Sequence, residues 1–217
     1  KKESKDLLDL VIGYCVSLGN KGMPEFERES FEWYKRGLKN DIIIRDEHIS
    51  PTTYRNVIAL ALKLGEYVWA EDFINEYSVF LDPYVRESNV NFSLARVEGY
   101  KKNWKKLIQL LAYTEYKEVF QALLSRTLLL IAYYELKEIE SLESLFSSFK
   151  LYLDREKTLN KNRKTQYYNL IKFTRTLSKS PKISRGKLEK LKEEIERVDA
   201  VVNKAWLIEK IDEKINS

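Results

Sequence analysis

The chain has 217 residues, a formal net charge of +5 and 44% hydrophobic residues. That hydrophobic content suffices for a continuous core and argues against a disordered chain. Gly and Pro are scarce, at seven and four residues, which favours helices over many short strands.

The single cysteine, Cys15, excludes an internal disulfide. The longest apolar run, residues 127–134, is far shorter than the roughly 18–20 residues of a membrane helix. No signal peptide is visible, although the chain begins without a methionine, so a preceding segment is left open. We expect no membrane segment and a cytoplasmic location, and the oligomeric state stays open.

Residues 1–50 are predicted to form an N-terminal helical hairpin. The first helix, 4–19, repeats apolar residues along one face at Leu7, Val11, Cys15 and Leu18. A Gly-rich turn and Pro24 precede the second helix, about 24–39.

Residues 51–153 are predicted to form central helical repeats. Ser50-Pro51 and Asp82-Pro83 are helix start signals, and Gly65 is the usual residue at a left-handed helix exit. The predicted helices are 51–64, 67–81, 83–99, 103–113, 116–135 and 139–153.

One short pattern appears three times in this region. When it is aligned on Tyr67, Trp104 and Ile139, the copies lie 37 and 35 residues apart. A period in the mid-thirties with two helices per copy is typical of stacked helical hairpins. The sequence therefore predicts an all-α, right-handed α-solenoid of stacked antiparallel helix pairs, about 11 helices in a single domain over 1–217.

Residues 154–217 are predicted to form a basic helix, 160–179, and two capping helices, about 185–198 and 201–215. Residues 155–187 carry a net charge of +10, which leaves −5 for the remainder. Along one side of the basic helix lies a basic stripe, defined as Lys161, Lys164, Tyr168, Lys172, Arg175 and Lys179. This stripe is either a solvated helix face or a surface for an anionic partner, which would be an acidic protein, nucleic acid or another polyanion.

The central residues resemble the tetratricopeptide-repeat (TPR) superfamily. The resemblance rests on Leu64-Gly65-x-Tyr67-x-x-Ala70 with Asp82-Pro83, on Asn103-Trp104-x-x-Leu107, and on Tyr133-Tyr134-Glu135-Leu136. The repeats are degenerate, because Leu107 and Leu142 stand where Ala70 fits the small-residue site. The whole chain is also similar to uncharacterised bacterial helical-repeat proteins.

The TPR resemblance implies a binding scaffold. Members of this superfamily usually bind extended peptides or partner helices in a concave groove, which the first helix of each pair lines. By register, the implied partner-binding groove contains Arg55, Asn89, Phe92, Arg96 and Thr127. Phe92 and Arg96, four residues apart, are candidates to clamp a peptide together.

No motif points to catalysis. His48 lies in a charged connection without a second His or Cys at ligand spacing, and Cys15 is expected to be a buried thiol. We therefore predict no enzyme, cofactor or metal site. The leading hypothesis is a non-catalytic protein–protein interaction scaffold, and the alternative is polyanion binding by the basic stripe.

Overall fold

The computed structural model describes residues 2–112, 114, 116–178 and 184–216, apart from the Lys2 side chain. In these residues the chain forms eleven α-helices and one short 3-10 helix, which confirms the predicted all-α class. The α-helices are α1 (Lys2–Asn20), α2 (Glu25–Lys39), α3 (Pro51–Lys63), α4 (Tyr67–Tyr77), α5 (Pro83–Tyr100), α6 (Trp104–Leu111), α7 (Val119–Glu135), α8 (Ile139–Arg155), α9 (Lys161–Ser178), α10 (Arg185–Arg197) and α11 (Lys204–Ile215). The 3-10 helix is Ser78–Phe80.

The chain divides into two compact units, residues 1–125 and 126–217. The first unit contains α1 to α6 and the start of α7, and the second contains the rest of α7 and α8 to α11. Among the described residues, the most extensive helix contacts join α1 with α2 and α5 with α6 in the first unit, and α10 with α11 in the second. The single repeat domain stays a prediction.

The sequence repeat has a counterpart in the backbone before α4, α6 and α8. Gly65, Lys102 and Lys137 have φ of 78°, 57° and 59°. At each place the next amide donates to a carbonyl five residues earlier, as in Glu66 N to Ala61 O at 2.9 Å. The three copies therefore share one helix exit, in which the left-handed residue lets the chain satisfy carbonyls at the helix end.

Two predicted helix starts are confirmed. Ser50 Oγ accepts a hydrogen bond from Thr53 N at 3.0 Å, and Asp82 Oδ1 accepts one from Tyr84 N at 2.8 Å. Each cap is followed by a proline at the first helical position, where no backbone donor is needed.

The first unit has a continuous apolar core, in which Phe31, Tyr54 and Phe73 are among the largest buried side chains. In α1 the buried face consists of Leu8, Ile12 and Cys15, whereas Leu7 is 63% exposed. The predicted core face of α1 was therefore wrong at Leu7, because this apolar-rich helix of 19 residues offers two adjacent stripes. The predicted burial of Cys15 is confirmed.

In the second unit α9 buries one helix face, which contains Tyr167, Leu170, Ile171, Thr174 and Leu177. Within the described part of the chain, no helix is both long enough and apolar enough to cross a membrane.

Candidate partner-binding surface

Arg55 of α3 and Asn89 of α5 form the centre of a polar network in the first unit. Arg55 Nη1 donates to Asn89 Oδ1 at 2.9 Å, and both residues are buried. Asn89 Nδ2 in turn donates to Val85 O at 2.7 Å. A buried guanidinium is costly without acceptors, so this amide fixes Arg55 in one orientation.

Two residues near the start of α7 complete the network. Gln121 Nε2 donates to Asn89 Oδ1 at 3.2 Å and is buried. The carboxylate of Glu118 accepts from Arg55 Nη2, at 3.0 Å to Oε1 and 2.9 Å to Oε2. The Glu118 side chain is 48% exposed, so it covers Arg55 from the solvent side.

Arg96 follows Asn89 on α5, about two helical turns later, and is half-buried. Burial lowers the pKa of Arg96, and the nearby positive charge of Arg55 lowers it further. Among the described residues, no carboxylate forms an ion pair with Arg96. Glu118, which pairs with Arg55, is therefore the one described carboxylate beside two guanidinium groups in this cluster, and the cluster has an excess of positive charge.

Three other predicted groove residues have little or no exposed surface. Phe92 is fully buried, with its ring centroid 5.7 Å from that of Tyr116 and 5.9 Å from the Arg96 guanidinium carbon. Asn89 is 2% exposed, and Thr127, in the second unit, is fully buried. We therefore assign Phe92 to the core, because it offers no surface for a clamp with Arg96.

The basic stripe lies on α9 in the second unit, and its polar groups have acidic neighbours. Lys172 Nζ is 2.7 Å from Glu194 Oε1 of α10, and Arg175 Nη2 is 2.6 Å from Glu143 Oε2 of α8. The Tyr168 hydroxyl donates to Asp154. Burial, followed by this hydrogen bond and the Asp154 charge, raises the pKa of Tyr168 to about 12.

These contacts reduce the positive field of the stripe. Lys161 is exposed and Lys164 is half-buried. Hydrogen bonds from Thr158 lower the pKa of the Glu156 carboxyl, and the positive charge of Lys164 lowers it to a smaller extent. Lys179, the last predicted member, lies outside the described residues. Two of the four described cations, Lys172 and Arg175, are thus neutralised by carboxylates of neighbouring helices.

The remaining candidates for chemistry are isolated. His48 is exposed in a loop, where its Nδ1 lies 2.7 Å from Asp46 O. Cys15 is a buried free thiol. In the residues that the structure describes, no group of three or more His, Cys, Asp and Glu side chains could hold a metal ion.

The sequence analysis did not identify Glu118 and Gln121 as members of the site. These residues contact Arg55 of α3 and Asn89 of α5 because of the tertiary fold, and the repeat pattern does not indicate this contact. The sequence analysis also missed an aromatic ladder of Trp69, Phe73 and Tyr77 on α4. The sequence does indicate the ladder, because its members are four residues apart and therefore share one helix face.

Comparison of the chain with protein-family models, curated proteins and solved structures found no match in any of the three. Function must therefore be inferred from the residues and their geometry.

Proposed function

We propose that this chain is a non-catalytic protein-interaction scaffold whose helix pairs stack as a right-handed, TPR-like solenoid. In this proposal the first unit binds an acidic peptide segment of a partner protein on the side formed by α3, α5 and the start of α7. The shared helix exits at Gly65, Lys102 and Lys137 support the repeat architecture. The location is proposed to be cytoplasmic, and no cofactor or catalytic step is involved.

The excess positive charge at Arg55 and Arg96 carries the proposal. Arg96 is half-buried without an ion-pair partner among the described residues, and Arg55 is held in place by Asn89. A ligand carboxylate would supply the missing negative charge to Arg96. If it also displaced the exposed Glu118 side chain, it would gain a preorganised guanidinium at Arg55.

A panel of decapeptides with acidic, neutral or basic side chains tests this proposal against the whole chain. We expect the acidic peptides to bind. The Arg96→Gln substitution should lower their affinity about tenfold, a loss of roughly 1.4 kcal/mol of binding free energy. The matched control is Lys105→Gln, which removes one positive charge from an exposed residue of α6. Equal affinities of the Arg96→Gln and Lys105→Gln proteins would defeat the assignment.

The alternative hypothesis is binding of nucleic acid or another polyanion by the basic stripe. The ion pairs of Lys172 and Arg175 weaken it, because a phosphate would have to compete with Glu194 and Glu143. Salt dependence separates the two hypotheses, since a stripe that binds phosphates releases counterions.

A further inference from the structure

A second candidate surface lies between α2 and α4, away from the Arg55 network. Here the first unit has an open cleft of about 490 Å³, which we call the α2–α4 cleft. Its volume lies within the range of about 300–1,000 Å³ that is usual for ligand-binding clefts.

The floor of the α2–α4 cleft is the aromatic ladder of α4. The Trp69 and Phe73 rings are 5.3 Å apart with 16° between their planes, and the Phe73 and Tyr77 rings are 4.8 Å apart with 18°. Phe73 is 2% exposed, whereas Trp69 and Tyr77 are half-buried, so these two rings supply the exposed apolar surface of the floor. Such a surface favours apolar and aromatic side chains.

At one end of the cleft, side-chain contacts hold α2 and α4 together. Arg28 Nη1 of α2 is 2.5 Å from Glu66 Oε1 at the start of α4. The Phe31 and Trp69 rings meet edge to face, with centroids 4.7 Å apart. At this end an opposite-charge pair and an aromatic pair therefore join α2 to α4.

At the other end, α2 again carries a base and α4 again carries acids, but among the described residues these charges form no ion pair. Lys39 of α2 and Asp72 and Glu76 of α4 are exposed and line the cleft. In the described part of the chain, none of these three forms an ion pair. Lys35 pairs within its own helix, with Glu32 at 3.1 Å. The open end thus presents a basic wall on α2, an acidic wall on α4 and an apolar floor.

We propose that the α2–α4 cleft binds an amphipathic helix of a partner protein, which places apolar side chains on the aromatic ladder, a carboxylate toward Lys39 and a cation toward Asp72 and Glu76. A helix fits because it projects an apolar stripe with charges on both flanks at the same level. From Trp69 to Tyr77 the floor runs along α4 for about 12 Å, roughly two helical turns. A nucleic acid fits poorly, since Asp72 and Glu76 would repel its phosphates. This inference does not depend on the function proposed for the Arg55 network.

Selection from a phage-displayed library of helical peptides tests the inference. The wild-type chain is the bait, and Lys39→Glu is used for counter-selection. We expect the enriched peptides to carry two apolar residues three or four positions apart, flanked by acidic residues on one side and basic residues on the other. Failure to enrich any peptide, or enrichment of peptides with one sign of charge, would overturn the inference.

Charge reversal then tests the orientation of the walls. For a synthetic enriched peptide, titration calorimetry should show that Lys39→Glu and Asp72→Lys each weaken binding about tenfold. The triple variant K39E/D72K/E76K should restore most of the affinity, because it exchanges the charges of the two walls and the peptide can bind in the reverse direction.

Two control variants separate an effect of the cleft from a general effect of charge. Lys105→Glu makes the same charge change at an exposed site outside the cleft, and circular dichroism verifies that every variant folds. Arg96→Gln should leave this peptide's affinity unchanged, so failure of the acidic-peptide proposal is distinguishable from failure here. Equal affinities of the Lys39→Glu and Lys105→Glu proteins would contradict the assignment.

Discussion

Asn89 Oδ1 accepts hydrogen bonds from both Arg55 Nη1, at 2.9 Å, and Gln121 Nε2, at 3.2 Å. One amide oxygen thereby joins α3, α5 and α7 within the first unit. All three residues are buried, so Arg55 and Gln121 both rely on this one oxygen as an acceptor.

Asn89→Ala removes the acceptor of this network. We expect it to lower the free energy of unfolding by about 1–3 kcal/mol, because Arg55 and Gln121 lose a hydrogen-bond partner in a buried site. Urea denaturation measures the change. Asn91→Ala, at a half-buried position of the same helix, is the control and should stay within about 0.5 kcal/mol of the wild type. Equal losses for the two variants would contradict a structural role for the network.

Gly37→Ala tests the close approach of α1 to α2. A Cβ at Gly37 would lie 2.5 Å from Leu8 Cδ2 and 2.9 Å from Ile43 Cδ1. Overpacking of this kind costs about 1–3 kcal/mol. Gly13→Ala should instead stabilise α1 by up to about 1 kcal/mol, because nothing lies within 4 Å of its Cβ. Thermal denaturation should show a lower melting temperature for Gly37→Ala and a higher one for Gly13→Ala. A Gly37→Ala protein as stable as the wild type would show that α1 and α2 pack less closely.

The sequence was sufficient to predict the helices and several of their ends. Capping oxygens at Ser50 and Asp82 act within a few residues, so local sequence determines them. The spacing of the repeats also indicated that Gly65, Lys102 and Lys137 occupy equivalent positions, which the backbone confirms.

The burial and pairing of individual side chains were harder to predict. Helical periodicity placed Asn89, Phe92 and Arg96 on α5, but it does not specify which neighbour covers each one. Phe92 is covered because the segment before α7 brings Tyr116 against it. In the same way, Lys172 and Arg175 meet carboxylates from α10 and α8, which lie 22 and 32 residues away in sequence.

The Tyr168 hydroxyl should lose its proton at a higher pH than an ordinary tyrosine. Burial and Asp154 raise the pKa of Tyr168 to about 12, whereas an unfolded tyrosine titrates near pH 10. Its contribution to stability is therefore complete below about pH 10 and is lost as the pH rises from 10 through 12. Asp154→Asn should shift one tyrosine to a lower pH in the absorbance titration at 295 nm. Superimposable titration curves for the variant and the wild type would contradict the contact.

Binding of single-stranded DNA should depend only weakly on salt. Among the described cations of the basic stripe, Lys161 and Lys164 form no ion pair, and two phosphate contacts give a slope of log K against log salt of about −1.5. The double variant E143Q/E194Q should steepen this slope to about −3, because it releases Lys172 and Arg175 from their ion pairs. Fluorescence anisotropy between about 50 and 200 mM salt measures it. A wild-type slope already as steep as that of the double variant would favour the polyanion hypothesis instead.

The most direct test of the interaction proposal is the affinity ratio between an acidic peptide and its isosteric neutral form. The acidic decapeptide with the highest affinity in the panel is compared with the same sequence in which every Glu is replaced by Gln, by titration calorimetry on the wild-type chain. The proposal predicts that the acidic peptide binds at least about tenfold more tightly, since its carboxylates reach Arg96 and the site that Glu118 covers. Equal affinities of the two peptides would contradict it, because the guanidinium groups would then contribute nothing to recognition.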